Sequence, residues 1–250
     1  MADVWGNVET QSLSERMTML LERQTQLEQL DELLAEAANG RGRVVALSGE
    51  AGAGKSALVE AFTGAAGQGA HIFRSACEDL SIPDPLGPLY DLAREAQWAM
   101  PQAVAARRGE RLPLFSDALD VFEARTGTTL LVIEDLHWAD DATLDFVRFL
   151  GRRIANTHIL LLVTARTDRS EGQMRVRRAL GEIPSGSVAR IDVPLLSEAA
   201  VLSRYCGMPS TCMRVAVHCA LTAARNAGSL RSCTYHNACA LAHGWDGSKK

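Results

Sequence analysis

Aromatic residues are scarce in this sequence, 5% of 250 residues, and positive charge is in deficit. With 30 acidic against 26 basic residues the net charge is −4, so no global positive field exists to hold a nucleic acid. Long apolar runs are missing as well. The longest aliphatic run, Ile159 to Val163, is strand-sized and far short of a membrane span. The amino terminus carries both charge signs through Arg16 and has no apolar stretch behind a basic one, which argues against a secretory leader. A cytoplasmic protein that does not enter a membrane is the expectation. Cysteine is almost absent from the first 200 residues, where only Cys77 occurs, whereas Cys206, Cys212, Cys219, Cys233 and Cys239 crowd the end. No C-x-x-C pair exists, and His218, His236 and His243 complete no zinc spacing.

What is present is an ordinary globular composition, 47% hydrophobic and 22% charged, enough for one α/β domain of about 200 residues. Residues 1–16 read as a mobile arm. From Met17 to Asn39 the leucines fall at Leu20, Leu27, Leu30, Leu33 and Leu34, the spacing of one helical face, with Gly40 as a stop signal. Five β-rich runs then alternate with helical patterns: Arg43 to Ser48, His71 to Ala76, Thr129 to Ile133, His158 to Thr164 and Val188 to Val193. Runs as apolar as Leu130 to Ile133 predict a sheet buried on both faces, and the alternation predicts parallel strands with helices on each side. Between the second and third strands, a proline loop at Pro83, Pro85 and Pro88 precedes helical stretches near Leu89 to Met100 and Leu114 to Arg125. Asp140 or Asp141 suits the cap of the next helix, and Ser197 the cap of one beginning at Glu198. The basic clusters Arg152-Arg153 and Arg175 to Arg178 read as solvated helix faces.

Three segments carry chemistry. Gly49-Glu50-Ala51-Gly52-Ala53-Gly54-Lys55-Ser56 fits G-x-x-x-x-G-K-[ST] completely. Its glycines let successive N–H groups converge on phosphate oxygens, and the following helix adds its positive end. Lys55 is placed to reach the β- and γ-phosphates and the Ser56 hydroxyl to ligate Mg²⁺. The second segment is the apolar strand that ends in Glu134-Asp135. Carboxylates there can hold Mg²⁺ through water, and one can orient or deprotonate an attacking water; the order Glu-Asp leaves open which does which. Third, Thr164-Ala165-Arg166 ends another strand. Its polar residue and arginine either address the γ-phosphate or leave the arginine paired with a surface carboxylate.

Four stretches together, LLERQTQLEQLDELL, VVALSGEAGAGKSALVEAF, LLVIEDLHWADDATLDFVRFL and ILLLVTARTD, resemble the ATPase module of STAND-class, AAA-like signalling ATPases, especially large LuxR-type bacterial transcriptional regulators. The resemblance covers about residues 18–203. It implies a three-layer P-loop fold with a five-stranded parallel sheet in the order 5-1-4-3-2, ATP and Mg²⁺ as ligands, and ATP turnover to ADP and phosphate. It places Leu21, Glu22 and Arg23 where the family has a Gly-Arg-Glu box near the adenine, with Leu21 in place of the glycine, and it matches Arg166 to the family's strand-tip arginine. His137 and Trp138 carry no chemistry of their own, and packing is their default role.

The domain expected is therefore residues 17–204, followed by an atypical Cys- and His-rich tail at 205–250 without a recognisable DNA-binding domain. Gly207 to Cys219 suggests a shifted reading frame, since another phase of its back-translation resembles the family's helix and Gly-Gly-x-Pro turn; the rival is a short tail packed on the core. Function reads as an ATP-binding, slowly hydrolysing switch module, with self-association if a neighbouring subunit completes the site. The alternatives are a small-molecule phosphotransferase, for whose arginine-bearing lid Arg175 to Arg178 could be mistaken, and a non-catalytic interaction protein.

Overall fold

The computed structural model describes residues 21–67, 69–80, 85–99, 111–167, 170–197 and 200. The expected arm, the tail and its frame-shift reading lie outside them. The chain divides into two compact units, residues 1–49 with 55–193, and residues 50–54 with 194–250.

The first unit is built on β1 (Arg43–Gly49), β2 (Ala70–Ala76), β3 (Thr128–Glu134), β4 (Ile159–Arg166) and β5 (Val188–Asp192). Their order is β2-β3-β4-β1-β5 with every neighbouring pair parallel, the predicted arrangement read from the other edge. The apolar runs Leu130 to Ile133 and Ile159 to Val163 fill the centre and are at most 1% exposed. Each such side chain contributes roughly 1.5–3 kcal/mol by leaving water, and only a sheet covered on both faces buries consecutive residues.

Six helices are seen among the described residues: α1 (Gln24–Ala38), α2 (Lys55–Ala66), α3 (Gly87–Glu95), α4 (Arg111–Glu123), α5 (Asp141–Gly151) and α6 (Glu171–Gly181). Successive strand residues point to opposite faces. Ala46, Leu131, Ile133 and Val163 pack in one cluster with Leu89 of α3, Phe115 of α4, Phe146 of α5 and Val176 of α6. Val45, Leu47, Leu130 and Leu162 are buried on the other face, beneath α1 and α2.

Several element ends differ from the expected ones, each for a local reason. α1 starts at Gln24 rather than Met17, because Glu22 has φ 55° and turns the chain out of the helical path. Leu27 and Leu30 are buried, while Leu33 and Leu34 are half-buried. α3 stops at Glu95, short of Met100: Gln97 is left-handed, φ 55°, and the Trp98 N–H closes back on Ala93 O at 2.8 Å, a Schellman-type ending. α4 is shifted toward the amino end of its expected range. β1, β3 and β4 run further than their apolar patterns, to Gly49, Glu134 and Arg166, so the chemically loaded residues are held within the ladder. Asp140, not Asp141, caps α5, accepting from Ala142 N–H at 2.7 Å and Thr143 N–H at 3.1 Å.

In the second unit, Gly52 and Gly54 have φ of 78° and 87°, and the Ala53 N–H donates to Glu50 O at 3.2 Å. The Ser197 hydroxyl accepts from Ala200 N–H at 3.1 Å, a capping contact; the helix start expected at Glu198 is outside the described residues. Among the described residues no helix is long and apolar enough to cross a membrane.

Candidate functional site at the carboxyl edge of the sheet

Parallel strands bring all their carboxyl ends to one edge, and register decides which residues become neighbours. Gly49 on β1 pairs with Arg166 on β4, and Leu47 with Thr164. Ile133 on β3 pairs with Val163, so Glu134 and Asp135 emerge beside Thr164. The Asp135 N–H donates to Thr164 Oγ1 at 2.8 Å, and Thr164 is 1% exposed. Gly49, Arg166, Thr164, Glu134 and Asp135 therefore share one short stretch of edge.

Lys55 opens α2, the first helical residue after the glycine segment. It is buried, and its Nζ donates to Gly49 O at 2.9 Å. That bond ties the first turn of α2 to the end of β1. Ser56 follows it and is exposed, as are Glu50 and Gly52, while Ala53 is buried. Gly52 and Gly54 hold left-handed backbone that other residues adopt only under strain.

The acidic pair is split in its environment. Glu134 is half-buried on the strand, its Oε1 lying 2.9 Å from Arg74 Nη2 on the adjacent β2. Asp135 has left the strand, with φ 55°. Aspartate tolerates this region better than most residues, but at a cost. A tight 3-10 turn, Leu136–Trp138, follows, closed by Trp138 N–H donating to Asp135 O at 2.9 Å. His137 is buried in that turn, with Nδ1 3.9 Å from Asp135 Oδ1 and its ring 4.9 Å from the Trp138 ring. A Cβ on Gly172 would lie 2.1 Å from His137 O, so only glycine permits this approach of α6. Arg175 adds a second tether, donating to Ala139 O at 2.9 Å and Asp141 Oδ1 at 2.8 Å.

These contacts revise several expectations. Trp138 does more than pack: the Arg166 guanidinium lies over its ring, 5.7 Å from the centroid, in cation–π range. Among the described residues Arg166 makes no ion pair. Thr164 braces the Asp135 turn. Arg175 and Arg178 are not a free lid, since Arg178 pairs with Glu182 at 3.3 Å and Arg175 with Asp141. Arg153 is not simply solvated either; its guanidinium sits 3.9 Å over the Phe149 ring.

At the amino end, Arg23 is 2% exposed and its Nη1 donates to Glu22 O at 3.0 Å. Burial pulls its pKa below the ordinary arginine value, and the Glu22 charge opposes that. The left-handed residue here is Glu22, not Leu21.

Arg74 is the residue that sequence reasoning missed. A charge two residues before the end of an otherwise half-apolar strand was its only signal. Cys77 reports the field nearby: burial, then Asp140 and Asp135, push its thiol up to about 12.

A five-stranded parallel sheet of this order, with a glycine-rich connection from β1 to α2, defines the class of P-loop α/β folds. The chain belongs to the AAA ATPase domain family, whose pattern matches residues 19–163. Among solved structures, the Aeropyrum pernix ORC2 protein in its ADP form is similar with TM-score 0.59 at 12% identity, covering 90% of this chain and 69% of that one. The same protein in ADPNP–ADP complexes gives 0.57 at 15% identity, with 79% and 57% covered. Cdc6p from Pyrobaculum aerophilum gives 0.52 at 19% identity, with 74% and 48% covered. At such identities the likeness is one of fold. The chain spans about half the length of the last two solved chains. No curated protein matches the sequence.

Proposed function

We propose that residues 17–204 form the nucleotide-binding module of a STAND-class signalling or transcription-regulating ATPase of the LuxR-regulator type. It binds ATP with Mg²⁺ and turns it over slowly. The observation that carries this reading is the strand register, which sets Gly49 beside Arg166 and brings Glu134-Asp135 next to Thr164. The AAA ATPase domain match and the Aeropyrum pernix ORC2 structures in ADP and ADPNP–ADP forms support it.

In this reading the backbone of Gly49 to Gly54 cradles the phosphates, with Glu50, Ala51, Gly52 and Ala53 contributing N–H groups. Lys55 neutralises the β- and γ-phosphates, and Arg166, held over Trp138, faces the γ-phosphate. Glu22 and Arg23 lie toward the adenine. The donor set suits Mg²⁺: an exposed Ser56 hydroxyl and two carboxylates, all hard oxygens. Held by Ser56, Glu134 and Asp135, the metal would supply positive charge against the phosphates. Asp135 is the carboxylate open to orient water; Glu134 joins it when Arg74 lets go. Such a switch alternates between ATP- and ADP-favoured arrangements. We place it in the cytoplasm, able to self-associate where a second subunit's arginine would complete the site.

The test is to incubate the purified chain with γ-labelled ATP and Mg²⁺ and follow both binding and product. Saturable binding with label appearing only as inorganic phosphate is expected. Label on another acceptor would instead make it a phosphotransferase, and no binding by the folded chain would leave a non-catalytic interaction protein.

A further inference from the structure

Among the described residues, α6 leaves part of the sheet uncovered. Its residues Gln173, Val176, Arg177 and Leu180 recur at the spacing of one helical face, and that face looks across a trough toward β1 and β5. The volume is about 380 Å³, within the range of small-molecule sites, roughly 300–1,000 Å³. Small residues make the floor: Ala46 and Ser48 of β1 and Ala165 of β4. The position of β3 that aligns with Ala46 through Val163 holds the larger Ile133, which packs under helices. The trough is thus written into the sequence as a run of small side chains on one face.

Its polar groups are few and unevenly satisfied. Arg190 and Asp192 stand on β5 in register with Ala46 and Ser48. The Ser48 hydroxyl donates to Asp192 Oδ1 at 2.5 Å, so the one carboxylate already has a donor. Arg177 and Arg190 are exposed at the rim and make no ion pair among the described residues. Gln173 is 5% exposed and lines the trough, yet its Oε1 has no hydrogen-bond partner among the described residues. A buried acceptor left unmet is unfavourable and rare. An apolar floor, a rim with two cations against one engaged carboxylate, and a waiting acceptor together specify a ligand chemistry.

We propose that this trough binds a small organic anion: an apolar body over Ala46, Ala165 and Leu180, an acidic group between Arg177 and Arg190, and one N–H or O–H donor to Gln173 Oε1. The assignment does not depend on the nucleotide reading. Anilinonaphthalene sulfonate carries all three elements and serves as the probe, titrated into the full chain by calorimetry and fluorescence. Saturable one-to-one binding that persists in excess ADP is expected. Arg177→Gln with Arg190→Gln should weaken it by at least about ten-fold, the scale of a lost charge-assisted bond. Gln173→Leu should weaken it by about three-fold or more, and Arg152→Gln with Arg153→Gln should leave it unchanged. Both rim arginines are exposed, so the double variant keeps its fold, checked by an unaltered circular dichroism spectrum and melting point. Absence of saturable binding, displacement by ADP, or wild-type affinity in the double rim variant overturns the proposal.

Discussion

Thr164→Val is the sharpest probe of how the acidic turn is held. The substitution removes one hydroxyl and keeps the side-chain shape. In the wild type, that hydroxyl accepts the Asp135 N–H at 2.8 Å while Thr164 itself is 1% exposed. Leaving a buried donor unmet costs roughly 1–3 kcal/mol. Asp135 is itself about half exposed, its side chain at 43%, so water can reach part of the turn and the lower half of that range applies. The bond also holds a left-handed aspartate that would otherwise relax. A loss of about 1–2 kcal/mol should lower the melting point by roughly 2–8 °C for a domain of this size. Thr164→Ser keeps the hydroxyl and loses a methyl, worth about 0.8 kcal/mol. Stability alone thus barely separates the two variants. Function separates them: Mg²⁺-dependent ATP affinity and phosphate release should fall several-fold in Thr164→Val and recover in Thr164→Ser. The assay pairs differential scanning fluorimetry with a fluorescent ATP analogue and a coupled phosphate sensor. Wild-type melting and wild-type turnover in Thr164→Val would refute the bracing role.

Lys55→Ala should weaken ATP binding by roughly 10- to 150-fold, the value of a charged hydrogen bond to phosphate, with the fold retained; undiminished affinity in an analogue titration removes the site. Arg74→Gln breaks the 2.9 Å pair with Glu134. Because Arg74 is 40% exposed, the stability cost should stay below about 1 kcal/mol. Single-turnover hydrolysis should rise a few-fold as Glu134 is released, and a fall would mean the pair positions the carboxylate instead. Cys77 supplies a pH signature. Its folded pKa, about 12, lies above the ordinary thiol value of 9.0, so the native state keeps the proton that the unfolded state loses. Its contribution is fully present below pH 9.0 and is lost as pH rises toward 12. Cys77→Ala should flatten that alkaline limb in chemical denaturation, and mass-spectrometric mapping at pH 8 should find Cys77 slow to alkylate until denaturant is added.

The strands and their parallel sense were legible because continuous apolar runs leave little choice at the centre of a sheet. Helix ends were less so, because single residues decide them. Glu22 and Gln97 take left-handed backbone, and no composition rule announces a glutamate or glutamine there. The glycine loop and the acidic strand end could be read from spacing, since each is contiguous in sequence. Arg74 and Thr164 could not, because their roles exist only across strands. Arg74 meets Glu134 from 60 residues away, and Thr164 meets Asp135 from 29. Such pairs follow from register, and register was not available until the strand order was. Trp138 was visible as a signature without a reason; Arg166 above its ring supplies one.

The candidate nucleotide site and the trough have one topological cause. β1 leads through α2 to β2 across one face of the sheet, whereas β4 leads through α6 to β5 across the other. Where neighbouring strands send their connections to opposite faces, a crevice opens at their carboxyl ends. Here those neighbours are β1 and β4, and the residues paired at the crevice are Gly49 and Arg166. The same crossing makes α6 pass over β1 to reach β5, so a single helix must cover three strands on that face. It seals β4 through Val176 and leaves the small residues of β1 open toward β5. Ser48 in the trough floor immediately precedes Gly49 on a strand clamped between β4 and β5. A ligand in the trough and a nucleotide at Gly49 would therefore act on the same rigid strand. If either alters the other's affinity, linkage requires the effect to be equal in both directions.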